Sequence, residues 1–213
     1  MQKFKIFSQM FKVFQQKPFQ DRPLGSLPSV DSEFFECIGR LGGKSYGDGA
    51  YQVFDAVEVY EATNDVGRLF PEYEGSIAVF GCDWLGRFFA TDARRMESGK
   101  PLMLMLETGA GEAMQIPVSI STFHNEEIVE YADDILALDF FRQWRSMSKK
   151  TINLAECMGY KIPLFLGGSD TVENLEIIDR RVYVELCAQL RNKTLTLNEG
   201  QSVGLIKIDN TQP

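Results

Sequence analysis

The sequence of this 213-residue chain shows little of the patterning that acid–base or nucleophilic catalysis requires. Hydrolases and transferases usually use histidine as the general base, because the imidazole pKa lies near neutrality. His124 is the single histidine, and it stands beside Asn125 where we expect a long helix to begin, which favours a capping or packing role. The sequence contains no serine elbow, zinc-protease helix, phosphate loop or calcium loop. We therefore predict no catalytic residue.

Carboxylates offer the remaining route to catalysis or metal binding, since two acids can hydrolyse a glycoside or hold magnesium. Asp83 with Asp92, and Asp133 with Asp134, are candidate pairs by their proximity in sequence. Adjacent acids on a helix point in different directions, and solvated helix faces commonly contain them. The cysteines are too far apart for a zinc or redox site, so we expect reduced thiols and predict neither metal nor cofactor. They are Cys37, Cys82, Cys157 and Cys187.

A partner-binding site is the alternative use of these residues. Trp84 lies in a predicted hairpin turn, where it either packs on the core or is exposed to a partner. Tryptophan and arginine are enriched among the residues that dominate binding energy at protein interfaces. The candidate partner-binding residues are Asp83, Trp84, Arg87, Asp92, Asp133 and Asp134.

Two further functions stay open. A small enzyme or ligand-binding domain would use a cleft between the sheet and the C-terminal helices, near Tyr160, Lys161 and Asp170. A structural module would dimerise through residues 1–17, in which Phe4, Phe7, Phe11 and Phe14 recur at helical spacing.

The charge balance restricts the class of partner. Thirty acidic and 22 basic residues give a net charge of -8 and a pI of about 4.8. This balance disfavours direct binding to nucleic acid or to an anionic membrane, and it permits a basic partner. No apolar run approaches the length of a membrane span, and residues 1–16 lack the features of a secretory signal. We therefore expect no membrane span and a cytoplasmic protein.

Hydrophobic periodicity predicts an α+β fold, with an antiparallel sheet of about four to five strands, packed helices and a helical C-terminal subdomain. The spacing of the phenylalanines predicts an N-terminal amphipathic helix of about four turns, followed by a connector rich in proline and glycine. Further helices are predicted over residues 32–41, 57–68, 123–145, 151–159 and 182–191. A strand or hairpin is predicted around residues 47–53. Further strands are predicted over residues 77–82, 87–92, 102–107, 113–117 and 162–166, and in the tail at residues 195–206.

Several sequence blocks resemble one bacterial family. They include IAVFGCDWLGRFFATD, LETGAGEAMQIP, FHNEEIVEYADDILALDFF and GYKIPLFLGGSDTVENLE, in family order over about residues 28–192. The chain is similar to proteins that join a GAD-like N-terminal domain to the C-terminal domain of type VI secretion DNase-immunity proteins. The resemblance implies segments 1–25 (helix and linker), 26–122 (GAD-like) and 123–213 (immunity-type, closely packed on the first). It also implies a non-enzymatic protein that binds and neutralises a cognate nuclease toxin.

Overall fold

The computed structural model describes residues 4–194 and contains a seven-strand antiparallel sheet, in which the strands lie side by side in chain order, and a separate two-strand sheet. The strands of the large sheet are β1 (Val13–Gln16), β2 (Lys44–Tyr46), β3 (Tyr51–Val53), β4 (Ile77–Asp83), β5 (Arg87–Glu97), β6 (Lys100–Glu107) and β7 (Glu112–Ile116). The small sheet pairs β8 (Glu156–Tyr160) with β9 (Leu175–Asp179). The helices are α1 (Lys5–Met10), α2 (Ser32–Leu41), α3 (Ala56–Leu69), α4 (Ile120–Thr122), α5 (Ile128–Glu130), α6 (Ala132–Ile135), α7 (Leu138–Met147) and α8 (Arg180–Thr194).

The centre of the large sheet is the pair β4 and β5, which the sequence predicts as a hairpin. Every residue of β4 is buried, and so are the first six residues of β5. Gly86 turns the chain between them with φ 71°, a backbone conformation that glycine adopts without steric cost. The predicted α+β class is confirmed, with seven strands in place of four to five because β1 and the short hairpin β2–β3 extend the sheet.

Both faces of the large sheet are covered, and adjacent residues of β5 show how. Phe89 contacts Phe123, which belongs to the segment that runs across one face. Phe88 points to the opposite face, where it contacts Phe54 and lines a small pocket with residues of α3 and α8. Because successive side chains of a strand alternate between faces, the two phenylalanines anchor two separate layers. Segment 120–147 therefore lies on the opposite side of the sheet from α3 and α8.

The predicted N-terminal helix of four turns is wrong in its length. α1 ends at Met10, Phe11 is extended (φ −100°, ψ 102°), and the chain continues as β1. Phe4, Phe7 and Phe11 are all buried in the core of this chain. The helical part of the spacing extends over only about one and a half turns. After it, the chain is extended because β1 pairs with β2.

The predicted helix over residues 123–145 is broken into several pieces. Residues 120–130 are continuous helix with a π-helical turn at Phe123–Glu127, and α6 and α7 follow as separate helices. Ala137 separates α6 from α7 in the left-handed conformation, with φ 49°. Helix breaks of this kind depend on tertiary contacts, and the spacing of apolar residues along the sequence does not predict them.

Three of the four predictions after residue 150 fall within the residues that the structure describes. Residues 151–159 are not helical, because Glu156–Tyr160 pairs with β9 as β8. The predicted strand at residues 162–166 is wrong, and Leu164–Leu166 forms a 3₁₀ turn. The predicted helix over residues 182–191 is confirmed within the longer α8. The predicted tail strands at residues 195–206 lie outside the residues that the structure describes.

One hydrophobic core contains residues from all three predicted segments, among them Phe7, Phe89 and Cys187. All four cysteines are buried as free thiols, as the sequence predicts. Within residues 4–194, none of the helices combines the length and the apolar character that a bilayer crossing requires.

Candidate interaction surface

The six candidate residues fall into a buried group and an exposed group. Asp83, Trp84, Arg87 and Asp92 are each at most 9% exposed, whereas Asp133 and Asp134 lie at the surface. The buried group consists of structural residues in this fold, and only the exposed pair is accessible to a partner.

The turn of the β4–β5 hairpin is organised around one buried carboxylate. The backbone N–H groups of Leu85 and Arg87 both donate to Asp83 Oδ1 at 3.0 Å, and Arg87 Nε donates to Asp83 Oδ2 at 2.5 Å. Burial raises the pKa of the Asp83 carboxyl, against the opposing effect of Arg87. Burial also acts to lower the pKa of Arg87, but the Asp83 carboxylate outweighs it and the net pKa is raised. The ion pair fixes the turn and leaves Arg87 charged.

Trp84 packs in the core, as one of the two interpretations of the sequence predicts. Its ring lies 5.2 Å from the Phe141 ring and 6.2 Å from the Trp144 ring of α7, centroid to centroid. Its indole Nε1–H donates to the carbonyl oxygen of Leu136 at 2.8 Å. Trp84 therefore joins the hairpin turn to segment 120–147 and is not available as a surface anchor.

Asp92 lies at the other end of the hairpin from Asp83. It pairs with Ile77 at the start of β4, whereas Asp83 ends that strand. Arg94 donates to Asp92 through its backbone N–H and its guanidinium. The structure does not bring the predicted pair Asp83 and Asp92 together, and residues 4–194 contain no cluster of three His, Cys, Asp or Glu side chains suited to a metal ion.

The exposed candidates belong to a larger group of acids on the outer side of segment 120–147. The inner side of this segment packs on the sheet through the buried residues Phe123, Ile128 and Leu136. The outer side includes Tyr131, whose ring is 47% exposed. We name the following residues the acidic surface: Glu126, Glu127, Glu130, Asp133, Asp134 and Asp139.

Most of this acidic surface is not neutralised by the part of the chain that the structure describes. The sequence contains no lysine or arginine from residue 101 to residue 141. Arg142 is the nearest cation in sequence, and it pairs with Asp133 at 2.7 Å and Asp139 at 2.6 Å. Hydrogen bonds to these two carboxylates raise the pKa of Arg142. Four carboxylates, those of Glu126, Glu127, Glu130 and Asp134, have no such pair among residues 4–194.

Acids on the side of the sheet that is covered by α3 and α8 are paired with arginines. Between α3 and α8, Arg180 pairs with Glu58 at 3.2 Å and Arg181 pairs with Asp65 at 2.9 Å. The small pocket at this place is lined by the same charged residues. The negative charge there is balanced locally, so the acidic surface is a distinct source of negative potential.

Two of the predicted cleft residues near the small sheet, Tyr160 and Asp170, are hydrogen-bonded to each other. Tyr160 is 5% exposed, and its hydroxyl donates to Asp170 Oδ1 at 2.7 Å. The ammonium group of Lys161 donates to the carbonyl oxygen of Glu173 at 2.7 Å. Burial raises the pKa of Tyr160, with the Asp170 hydrogen bond acting in the same direction. These polar groups serve local structure in the fold.

His124 is fully buried, as a packing role requires. It lies in the π-helical turn and not at a helix start, which corrects the predicted position. Its Nδ1 is 2.8 Å from the carbonyl oxygen of Ile120, and its Nε2 is 3.0 Å from the hydroxyl of Tyr51. Burial lowers the pKa of His124 to about 4. The neutral ring thus donates to Ile120 and accepts from Tyr51.

Of the acidic surface, only Asp133 and Asp134 are predicted from the sequence. Glu126, Glu127, Glu130 and Tyr131 are not. One signal for them is present in the sequence, since a stretch of 41 residues without lysine or arginine includes all of them. Their exposure was not predictable from that stretch, because it depends on which side of the broken helix faces the sheet.

Comparisons with known proteins bear on this same segment. Residues 120–191 match the family model of "T6SS immunity protein Tdi1, C-terminal". The crystal structure of Atu4351 from Agrobacterium tumefaciens is similar in fold, with a TM-score of 0.62 and 15% identity over 87% of this chain and 88% of that chain. The comparison with curated proteins found no match. The GAD-like resemblance of the N-terminal part stays a prediction. Residues 120–191 are thus similar to the C-terminal domain of the type VI secretion immunity protein Tdi1.

Proposed function

We propose that this protein is an immunity protein that binds and neutralises a secreted nuclease toxin, and that the acidic surface is the part that contacts the toxin. The observation that carries the proposal is the family match over residues 120–191, because that range includes the whole acidic surface. The comparison names the immunity family, the sequence resemblance implies that the toxin is a nuclease, and the charge of the acidic surface supports this.

The charge argument rests on what a nuclease must do. An enzyme that cuts DNA presents a positively charged surface to the phosphates. An inhibitor with carboxylates in the same place competes with DNA, and complementary fields also accelerate association. The acidic surface supplies four carboxylates without a described cation partner and one exposed aromatic side chain, Tyr131.

The test combines binding with inhibition. The purified protein is mixed with a type VI secretion nuclease toxin from the same genome, the mass of the mixture is measured by light scattering, and DNA cleavage is followed. We expect a one-to-one complex and loss of cleavage. Undiminished cleavage at saturating concentrations would contradict the proposed function.

The surface is tested with two variants that remove the same charge. The first replaces Glu126, Glu127 and Glu130 with Gln and Asp134 with Asn. The second makes the same kinds of change at exposed acids elsewhere: Asp21, Glu74, Glu97 and Glu176. We expect the first variant to bind the nuclease about 10- to 100-fold more weakly, and the second to stay within about threefold of the unmodified protein. Equal losses would show that net charge, and not this surface, determines binding.

A further inference from the structure

Two side chains of the β4–β5 hairpin are bonded to the end of α6, which carries Asp133 and Asp134 of the acidic surface. Trp84 Nε1 donates to the carbonyl oxygen of Leu136, and Arg87 Nη2 donates to the carbonyl oxygen of Ile135, each at 2.8 Å. These carbonyls stand where α6 ends. The last carbonyls of a helix have no acceptor role within it, so they need donors from elsewhere.

These two hydrogen bonds lie next to residues of the acidic surface in the chain. Asp133 and Asp134 precede the two carbonyls, and Ala137 follows them in the left-handed conformation. α6 is only four residues long, which is too short for a helix to be stable alone. The shape of this part of the acidic surface therefore depends on tertiary contacts.

The hairpin turn is itself held by several hydrogen bonds, so it can fix the position of the segment that is bonded to it. Asp83 bonds the turn from within, and Thr108 Oγ1 donates to the carbonyl oxygen of Gly86 at 2.8 Å. The backbone of Trp84 is bonded on both sides, since its N–H donates to the Ala50 carbonyl and its carbonyl accepts from the Met158 N–H. The turn thus connects β3, β8 and segment 120–147 at one place.

We propose that Trp84 and Arg87 are positioning residues, which fix the acidic surface in the shape that the toxin binds by holding the carbonyls of Leu136 and Ile135. This inference rests on the proposed function for its binding consequence. Neither side chain touches the toxin in this scheme. They act through the backbone that presents Asp133 and Asp134.

The first test measures the two hydrogen bonds donated by the Trp84 and Arg87 side chains, which we call the clamp, without any toxin. Trp84→Phe keeps an aromatic ring and removes the N–H donor, and Arg87→Lys keeps the charge beside Asp83 and removes the second donor. We expect amides of residues 131–138 to exchange with deuterium about 5- to 10-fold faster in each variant, the effect of one lost hydrogen bond. Arg95→Lys is the matched control, because Arg95 lies on the same strand and donates Nη1 to the Met103 carbonyl. Unchanged exchange over residues 131–138 in both variants overturns the inference.

The second test asks whether the clamp acts on binding through the acidic surface. Toxin affinity is measured for Arg87→Lys, Asp134→Asn and the double variant, using only the folded fraction of each. We expect about a fivefold loss for Arg87→Lys and a clearly smaller effect of Asp134→Asn in the Arg87→Lys background, since coupled sites are non-additive. Fully additive losses overturn the positioning role, because a purely structural effect would be additive. If the unmodified protein does not bind the nuclease, the proposed function fails, and the exchange measurement still decides the clamp.

Discussion

At the scale of single residues, His124 shows how a buried polar side chain is matched to specific partners. His124 has a backbone acceptor on one ring nitrogen and the Tyr51 hydroxyl on the other, while the rings of Phe7 and Phe123 lie 5.1 and 5.3 Å from it. A buried polar group costs little when its hydrogen bonds are made, and a charge at the same place costs much more. The site is therefore built for the neutral imidazole.

A pH dependence of stability follows from this site. Burial lowers the pKa of His124 to about 4 in the folded protein, against about 6.5 in the unfolded chain. The unfolded state therefore binds a proton more readily, so the stability from neutral His124 is complete above pH 6.5 and is lost as the pH falls toward 4. We expect this contribution to be about 3 kcal/mol of unfolding free energy.

The measurement is urea unfolding across this pH range for the unmodified protein and for His124→Asn. The Asn side chain retains a donor for the Ile120 carbonyl and does not titrate. The unmodified protein should therefore lose more stability than the variant between pH 6.5 and pH 4. Parallel pH profiles would show that His124 is protonated without cost in the fold.

At the scale of elements, the N-terminal segment behaves as part of the core. Phe7 stacks on Phe11 at 4.9 Å and contacts the Tyr46 ring at 5.0 Å, centroid to centroid. The next strand, β1, then forms one edge of the large sheet. Phe4, Phe7 and Phe11 are covered by their own chain, so these three rings are not free to form a dimer interface.

Substitutions in α1 distinguish packing in the core from dimerisation as the role of this segment. Phe7→Ala should lower the free energy of unfolding by about 3 to 5 kcal/mol, because it leaves a cavity among buried rings. Ile6→Ala is the matched control, since Ile6 is 48% exposed, and its effect should be below about 0.5 kcal/mol. Urea unfolding gives both values. A fall in the mass measured by light scattering for Ile6→Ala would instead support dimerisation through residues 1–17.

The elements predicted correctly are those whose sequence signal is local. The β4–β5 and β6–β7 hairpins combine apolar strands with turn residues such as Gly86, and α3 begins with Asp55 in a capping box. The errors occur where a distant contact decides the conformation. β8 forms because β9 lies beside it some twenty residues later, and Ala137 breaks the predicted long helix where Trp84 and Arg87 hold the carbonyls before it.

The candidate site shows the same division. The type of residue at Asp133 and Asp134 indicated a charged surface, and the structure places both at the surface. The sequence could not show that Asp83, Trp84, Arg87 and Asp92 are buried, because burial depends on which elements cover the hairpin. Their types alone do not distinguish a partner anchor from a residue that organises a turn.

At the scale of the whole molecule, charge is distributed unevenly. The chain has a net charge of -8, and the ion pairs between α3 and α8 balance many acids on one side of the sheet. The acidic surface on the other side has few such pairs in the described residues. A positively charged partner approaching from solution would therefore be oriented toward the acidic surface before contact.

Orientation before contact predicts a specific kinetic effect of salt. Screening weakens long-range attraction between exposed charges, so it slows encounter more than it accelerates dissociation. Raising NaCl from about 50 to about 500 mM should lower the association rate constant with the nuclease about tenfold and change the dissociation rate constant less than about threefold. Stopped-flow fluorescence measures both constants.

The two charge variants show whether the acidic surface or the total charge steers the partner. Both variants lose four negative charges, so steering by net charge alone would flatten the salt dependence of association equally in the two. Steering by the acidic surface flattens it in the variant of Glu126, Glu127, Glu130 and Asp134, and leaves it nearly intact in the variant of Asp21, Glu74, Glu97 and Glu176. We expect the second pattern, because an uneven field orients a partner only if the charges lie where it docks. A salt effect that appears mainly in dissociation would contradict steering altogether.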